Sequence, residues 1–245
     1  MSTMSPQSAM AFQPLSISQA ELNCLEEPVS DELVGVELAP AAYSVGKRVV
    51  DLVGATAGLI LLSPIMIVIA ALVRLDSRGP VFFRQERMGH GGRTFCFLKY
   101  RTMVLDAESQ LPDLEEFNES AGGVLFKIRD DPRITRLGRF LRRTSLDELP
   151  QLFNILKGQM SLVGPRPLQI RDCEKLELLD FERYTQRLSV PQGLTGAWQV
   201  GGRSNEDCTK MLELDLDYVG RWSLGLDLAI ICKTVPCVLS GRGAC

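Results

Sequence analysis

The chain has 245 residues, 45% of them hydrophobic and 23% charged, with a formal net charge of -3. That is enough chain for one large domain or two small ones, and the average composition excludes collagen, wholesale disorder and a polytopic membrane protein. The charge balance gives no footing for nucleic-acid binding.

The averages hide two asymmetries. The first 46 residues carry Glu21, Glu26, Glu27, Asp31, Glu32 and Glu37 and no basic residue. This stretch has few aromatics and too little apolar surface to offset the entropy of ordering, so residues 1–43 are predicted to be a disordered acidic tail. It lacks the basic start and apolar run of a signal peptide, which predicts that it is neither cleaved nor exported. The seven cysteines, at 24, 96, 173, 208, 232, 237 and 245, form no zinc or CxxC spacing and read as free thiols in a reducing compartment. The single histidine, His90, sits in a Gly-rich turn and reads as a loop residue.

Hydropathy supplies the second asymmetry. Val53 to Val73 runs 21 residues without a charge, about the length that crosses a bilayer. Ser63-Pro64 falls at its midpoint, where proline removes a backbone donor and predicts a kink; a Ser hydroxyl is one local device for satisfying the freed carbonyl. Lys47 and Arg48 precede the run while Arg74 and Arg78 follow it, so the basic flanks do not favour opposite sides. Residues 44–78 are therefore predicted to enter the membrane, bend at Ser63-Pro64 and return to the same face, with a kinked spanning helix as the alternative.

Residues 79–245 are predicted to form the catalytic body. A β-hairpin is expected from residues 80–87 and 94–100 around the turn at Gly89 to Gly92, which lacks the spacing of a phosphate loop. Lys99 and Arg101 leave its second strand, and from that stretch alone a pair of solvated surface charges is the better reading. An acidic helix or loop at 104–123 ends in Gly122-Gly123. Residues 127–143 then carry Lys127, Arg129, Arg133, Arg136, Arg139, Arg142 and Arg143, with Ile134, Leu137 and Leu141 at helical spacing, as an amphipathic helix suited to an anionic surface or substrate.

Ser145 and Glu148 have the spacing of a capping box before a helix whose stripe is Leu149, Leu152, Phe153 and Leu156, although Pro150 would shift its start by one or two residues. Capping alone could account for Asp147 and Glu148. A chemical reading has equal physical footing: a helix dipole with Arg142 and Arg143 would favour ionised Asp147. A carboxylate attacking a diphosphate meets about 4 kcal/mol of repulsion per charge pair at ~4 Å and an effective dielectric of ~20, so cations must converge there. Neighbouring carboxylates on a helix face different ways, so one could attack while the other holds Mg²⁺. In Gly164-Pro165-Arg166-Pro167 the prolines stiffen the backbone around one arginine, either as a plain turn or as a preorganised phosphate grip. Leu168 to Leu188 and Asn205 to Trp222 are predicted helices, Gly193 to Gly202 an irregular loop, and Leu226 to Leu239 a short interfacial or packing helix.

In order, KRVVDLVGATAGLILLSPIMIVIAALVRLDSRGPVFFRQERMG, KYRTM, LRRTSLDELPQLFNILKGQMSLVGPRP and GLTGAWQVGGRS resemble the bacterial sugar transferases acting on polyprenyl phosphate, the monotopic phosphoglycosyl transferases. The resemblance covers about residues 44–241, and the C-terminal segment is most similar to the exopolysaccharide-initiating, undecaprenyl-phosphate galactose-1-phosphate branch. It implies an α+β, mainly helical fold with a re-entrant membrane helix, a small hairpin and amphipathic interfacial helices. It also implies a reaction: UDP-sugar is attacked by Asp147, UMP leaves, and undecaprenyl phosphate takes the sugar phosphate from the enzyme. In this reading Glu148 binds Mg²⁺, Lys99, Arg101, Arg142 and Arg166 contact phosphates or substrate, and Ser63-Pro64 breaks the membrane helix. The implied location is the bacterial inner membrane with the catalytic body on the cytoplasmic face, and a homodimer is a candidate assembly. Larger members add four transmembrane helices and a further domain, so a minimal catalytic unit is expected. The competing expectations are a membrane-tethered scaffold without turnover and a glycosyl transferase that releases UDP.

Overall fold

A computed structural model describes residues 41–119, 125, 126, 128, 130–201 and 208–240. Residues 1–40 of the predicted 1–43 tail, Gly122-Gly123, Lys127, Arg129, Cys24 and Cys245 lie outside the described residues, and residues 41–43 belong to the first helix rather than to a tail. The molecule is α+β and mainly helical, as expected.

Helix α1 (Ala41–Asp76) contains the apolar run and continues through Pro64. Proline cannot donate to the carbonyl four residues back, that of Ile60, and the Ser63 hydroxyl donates to this same oxygen at 2.9 Å. Only 17% of its most apolar window is buried, which separates it from the core helix of a soluble domain. Ile60, Leu61, Ile67 and Val68 all lie on the surface.

Both halves of α1 are nevertheless tied to the rest of the protein. In the first half, Lys47 Nζ donates to the Val163 carbonyl and pairs with Asp227, each at 2.8 Å. Arg48 reaches the Ile155 and Leu156 carbonyls, and Asp51 accepts from the Ser161 hydroxyl and the Leu162 amide. Lys47 is thus a buried structural charge rather than an interfacial flank. In the second half, Ile69 and Val73 pack with Tyr100 and Leu141, and the Tyr100 hydroxyl donates to the Met66 carbonyl.

Strands β1 (Phe82–Met88) and β2 (Thr94–Tyr100) form the expected antiparallel hairpin, in register Phe83↔Lys99 and Gln85↔Phe97. His90 lies in its turn, bonded through Nε2 to the Ser189 carbonyl. A one-turn helix α2 (Leu111–Leu114) occupies part of the acidic stretch.

The Arg-rich helix is shorter than predicted: α3 spans Arg136–Arg143 and starts at Thr135, whose side chain accepts from the Gly138 amide. Ile134 instead bridges Met103 in extended backbone, and Arg133 pairs with Asp131 inside the protein. Gly138 permits close approach to the segment that follows β2, because a Cβ there would stand 2.0 Å from the Thr102 carbonyl oxygen.

The predicted capping box does not form. Ser145 adopts φ 54, in the left-handed region, and its side chain makes no capping bond; a 3-10 turn (Leu146–Glu148) follows, and α4 begins after Pro150 (Gln151–Leu156). This later start rotates the buried stripe to Leu152 and Ile155 and leaves Phe153 on the surface.

Beyond it, β3 (Ser161–Val163) pairs in parallel with β4 (Gly193–Thr195), so the predicted loop at 193–202 opens with a strand and continues as α7 (Ala197–Gly201). The predicted helix at 168–188 is two helices, α5 (Ile170–Leu179) and α6 (Phe181–Arg187). They break at Asp180, whose side chain caps α6 by accepting from the Arg183 amide. Helix α8 (Cys208–Gly220) packs on α6, and α9 (Leu224–Ser240) closes the fold through Asp227. Cys96, Cys173, Cys208, Cys232 and Cys237 are free thiols.

Candidate active site

Strand alternation places Phe83, Gln85, Arg87, Phe97 and Lys99 on one face of the hairpin. There the Lys99 ammonium lies 4.8 Å from the centre of the Phe83 ring, and the Arg87 guanidinium 4.3 Å from that of Phe97. The 3-10 turn brings Asp147 and Glu148 to this face, Arg142 comes from the last turn of α3, and Arg166 from the Gly164-Pro165-Arg166-Pro167 turn. The left-handed Ser145 makes the sharp exit from α3 that allows this, at a cost of about 1–2 kcal/mol.

Asp147 is only 6% exposed. Burial and the neighbouring Glu148 push its pKa up, although Lys99, Arg142 and Arg166 pull it down. This corrects the expectation that helix dipole and arginines would favour the ionised form. The turn is three residues long, Arg143 is exposed rather than near the carboxylate, and desolvation outweighs the cations. Glu148 is paired with Arg166 at 2.5 Å, which raises the pKa of that guanidinium despite burial. Arg142 donates from Nε to the Thr102 hydroxyl at 2.9 Å. Burial, with Arg142 and Arg87 as like charges, pushes Lys99 down to about 7.

Lys99, Arg142, Arg166, Asp147 and Glu148 therefore come together as predicted. Arg101 does not join them. Its Nη2 donates to the carbonyl and hydroxyl of Ser77 at 2.7 and 2.9 Å, so it secures the exit of α1, beside Arg74 and Asp76. Alternation would keep Lys99 and Arg101 on one face, but β2 ends at Tyr100, and past it the chain turns toward α1 and carries Arg101 to Ser77.

Arg87 is a fourth cation in the cluster, close enough to Arg166 and Glu148 for each to perturb it. It was missed because a strand arginine in an RQER run reads as solvated. The strand alternation that puts it on the Lys99 face is the signal that could have found it.

For Mg²⁺, the donor chemistry fits. Glu148 raises the proton affinity of its neighbour Asp147, and a hard dication binding one or two carboxylates would relieve that repulsion. Among the described residues no group of three or more His, Cys, Asp or Glu side chains gathers to hold a metal, so an all-protein cage is not the form such a site takes. Four cations around two carboxylates leave a surplus of positive charge suited to a phosphorylated ligand.

Fold and site together define an α+β protein with one helix long and apolar enough to cross a membrane and a carboxylate pair ringed by cations. The chain belongs to the bacterial sugar transferase family, whose model matches residues 42–241. It is 43% identical over 204 residues to the galactosyl transferase CpsE of Streptococcus agalactiae, covering 83% of this chain and 44% of that protein. It is 42% identical over 201 residues to the exopolysaccharide production protein ExoY of Rhizobium meliloti, covering 81% of this chain and 87% of ExoY. The UDP-glucose:undecaprenyl-phosphate glucose-1-phosphate transferase of Xanthomonas campestris is 42% identical over 207 residues, 82% of this chain and 40% of that protein. The chain thus spans less than half of the streptococcal and Xanthomonas proteins and most of ExoY.

Proposed function

We propose that the protein transfers a sugar 1-phosphate from a UDP-sugar to undecaprenyl phosphate at the cytoplasmic face of the bacterial inner membrane, as the first membrane step of exopolysaccharide synthesis. The observation that carries this reading is the buried Asp147-Glu148 pair facing Lys99, Arg142 and Arg166. A scaffold needs no such arrangement, because burying carboxylates beside one another costs stability.

In the proposed mechanism a carboxylate oxygen of Asp147 attacks the β-phosphorus of the UDP-sugar. The bond from that phosphorus to the bridging oxygen breaks, and UMP leaves with the electron pair. The resulting aspartyl sugar-phosphate is a mixed anhydride. An oxygen of undecaprenyl phosphate then attacks the same phosphorus, the lipid diphosphate sugar forms, and the Asp147 carboxylate is released. One difficult displacement becomes two through a covalent intermediate.

Lys99, Arg142 and Arg166 lower the repulsion between nucleophile and diphosphate and stabilise the charge that develops on the departing oxygen. Glu148 would hold Mg²⁺. The ion would supply charge neutralisation for the diphosphate.

Galactose 1-phosphate is the cargo we propose, on the likeness to the galactosyl transferase, with glucose 1-phosphate the alternative that the Xanthomonas relative's name raises. We further propose that α1 is re-entrant, because both of its halves are tied to the same body.

The test is nucleotide release by the detergent-purified protein given Mg²⁺, undecaprenyl phosphate and either UDP-galactose or UDP-glucose. The expected product is UMP, abolished by Asp147→Asn. Release of UDP would instead indicate attack at the anomeric carbon, and turnover undiminished in Asp147→Asn would overturn the covalent mechanism.

A further inference from the structure

Arg166 side-chain placement depends on the backbone that carries it, and two consecutive carbonyls of that backbone are held by buried guanidiniums from separate elements. Arg87, on β1, donates from Nη1 to the Pro167 carbonyl at 2.7 Å. Arg187, at the end of α6 and 1% exposed, donates from Nη2 to the Arg166 carbonyl. Arg187 is itself fixed, since its Nε pairs with Asp215 of α8 at 2.8 Å. Arg87 is fixed by its stack on Phe97 and by two bonds to Gln85.

The turn is already stiff, because Pro165 and Pro167 each lock a φ angle. Backbone bonds from the Gly164 amide to the Thr195 carbonyl and from the Gly193 amide to the Pro165 carbonyl hold its first half, and the two guanidinium contacts fix the carbonyls of Arg166 and Pro167 themselves. A side chain as long as arginine magnifies any backbone tilt at its tip, so the distance from Arg166 to Glu148 is sensitive to both struts. Burying guanidiniums is costly unless each N–H finds an acceptor, which makes these two expensive to retain for packing alone.

We propose that Arg87 and Arg187 are positioning residues for phosphate recognition, gripping the Arg166 and Pro167 carbonyls so that the Arg166 guanidinium meets Glu148 and the incoming phosphate in one fixed orientation. This rests on the phosphate-gripping role proposed above for Arg166. It extends the site beyond the cation cluster to α6 and α8, through Arg187 and its partner Asp215.

A double-mutant cycle tests it, since a purely structural role and a role exercised through Arg166 differ in additivity. Arg87→Lys and Arg187→Lys keep the charge but not the forked geometry, and each is expected to lower kcat/KM for the UDP-sugar about tenfold, with the larger share in kcat. In an Arg166→Ala background the same substitutions should cost less than about twofold. A full tenfold loss persisting in that background overturns the proposal. Should Arg187→Lys fail to fold because Asp215 is left underpaired, the Arg87→Lys cycle decides alone.

Wild-type protein releasing no UMP would count against the transferase reading, and the same cycle is then read on the thermal shift produced by UDP. Shifts reduced by each strut substitution only when Arg166 is present support the positioning role. Shifts insensitive to the struts, or reduced equally without Arg166, overturn it.

Discussion

Lys99 shows how a site residue can be costly to the fold and useful to the chemistry. Its ordinary pKa of 10.5 is lowered to about 7 by burial and by Arg142 and Arg87. The folded protein therefore holds this proton less tightly than the unfolded chain. The penalty is complete below pH ~7 and fades as pH rises toward the unfolded value. Lys99→Met should accordingly raise Tm at neutral pH while removing turnover, a trade expected where stability is given up for function. In the free enzyme the same group should give kcat/KM for the UDP-sugar a decline as pH climbs past ~7, as the ammonium loses its charge. Lys99→Arg stays protonated and should flatten that limb. A decline that survives in Lys99→Arg would assign the titration to another group. Asp147 behaves in parallel: its raised pKa means that ionisation costs stability above that pKa, so Asp147→Asn should raise Tm as it abolishes UMP release.

At the scale of elements, the Lys47-Asp227 pair joins the start of α1 to α9, with both side chains 3% exposed. Asp227 also accepts from the Tyr218 hydroxyl at 2.7 Å, and Lys47 donates to Val163. Lys47→Met leaves a buried carboxylate without its cation and should cost about 3–5 kcal/mol. Lys47→Met with Asp227→Leu should recover much of that loss in thermal unfolding, whereas additive losses would show that the pair's contribution lies elsewhere.

Legibility followed the same division between local and distant contacts. The hairpin could be read because its turn and alternation are local, and α1 because an uncharged run of that length has few other fates. Ser63 could be matched to the carbonyl orphaned by Pro64 for the same reason. The β3-β4 pair joins Ser161 to Gly193 across 31 intervening residues, and no spacing in the chain announces it. Asp180 carried an N-cap signal that a continuous helical pattern concealed. At the site, the residue types of the dyad and its cations were visible, but the left-handed Ser145 and the carbonyl struts on Arg166 were not. Arg101 was misjudged because proximity in sequence to Lys99 does not keep two side chains on one face once a strand ends.

For the whole molecule, the decisive relation is between α1 and the body it serves. A straight 36-residue helix would run about 54 Å, well beyond the ~30 Å of a bilayer core. Its first half is tied through Lys47, Arg48 and Asp51 to β3, α4 and α9, and its second half through Met66, Ile69 and Val73 to Tyr100 and Leu141. Between these anchors Ile60, Leu61 and Ile65 face outward. A helix crossing the membrane would put its two ends on opposite sides, and one water-soluble body could not hold both. The expectation is that Val45 and Arg78 share a side. Single-cysteine variants Val45→Cys and Arg78→Cys, made with the native cysteines replaced, should both resist a membrane-impermeant maleimide in intact cells lacking an outer-membrane barrier. Both should react once the inner membrane is opened. Labelling of one variant alone in intact cells would mean that α1 spans, and would require the contacts at one of its ends to be broken in the membrane.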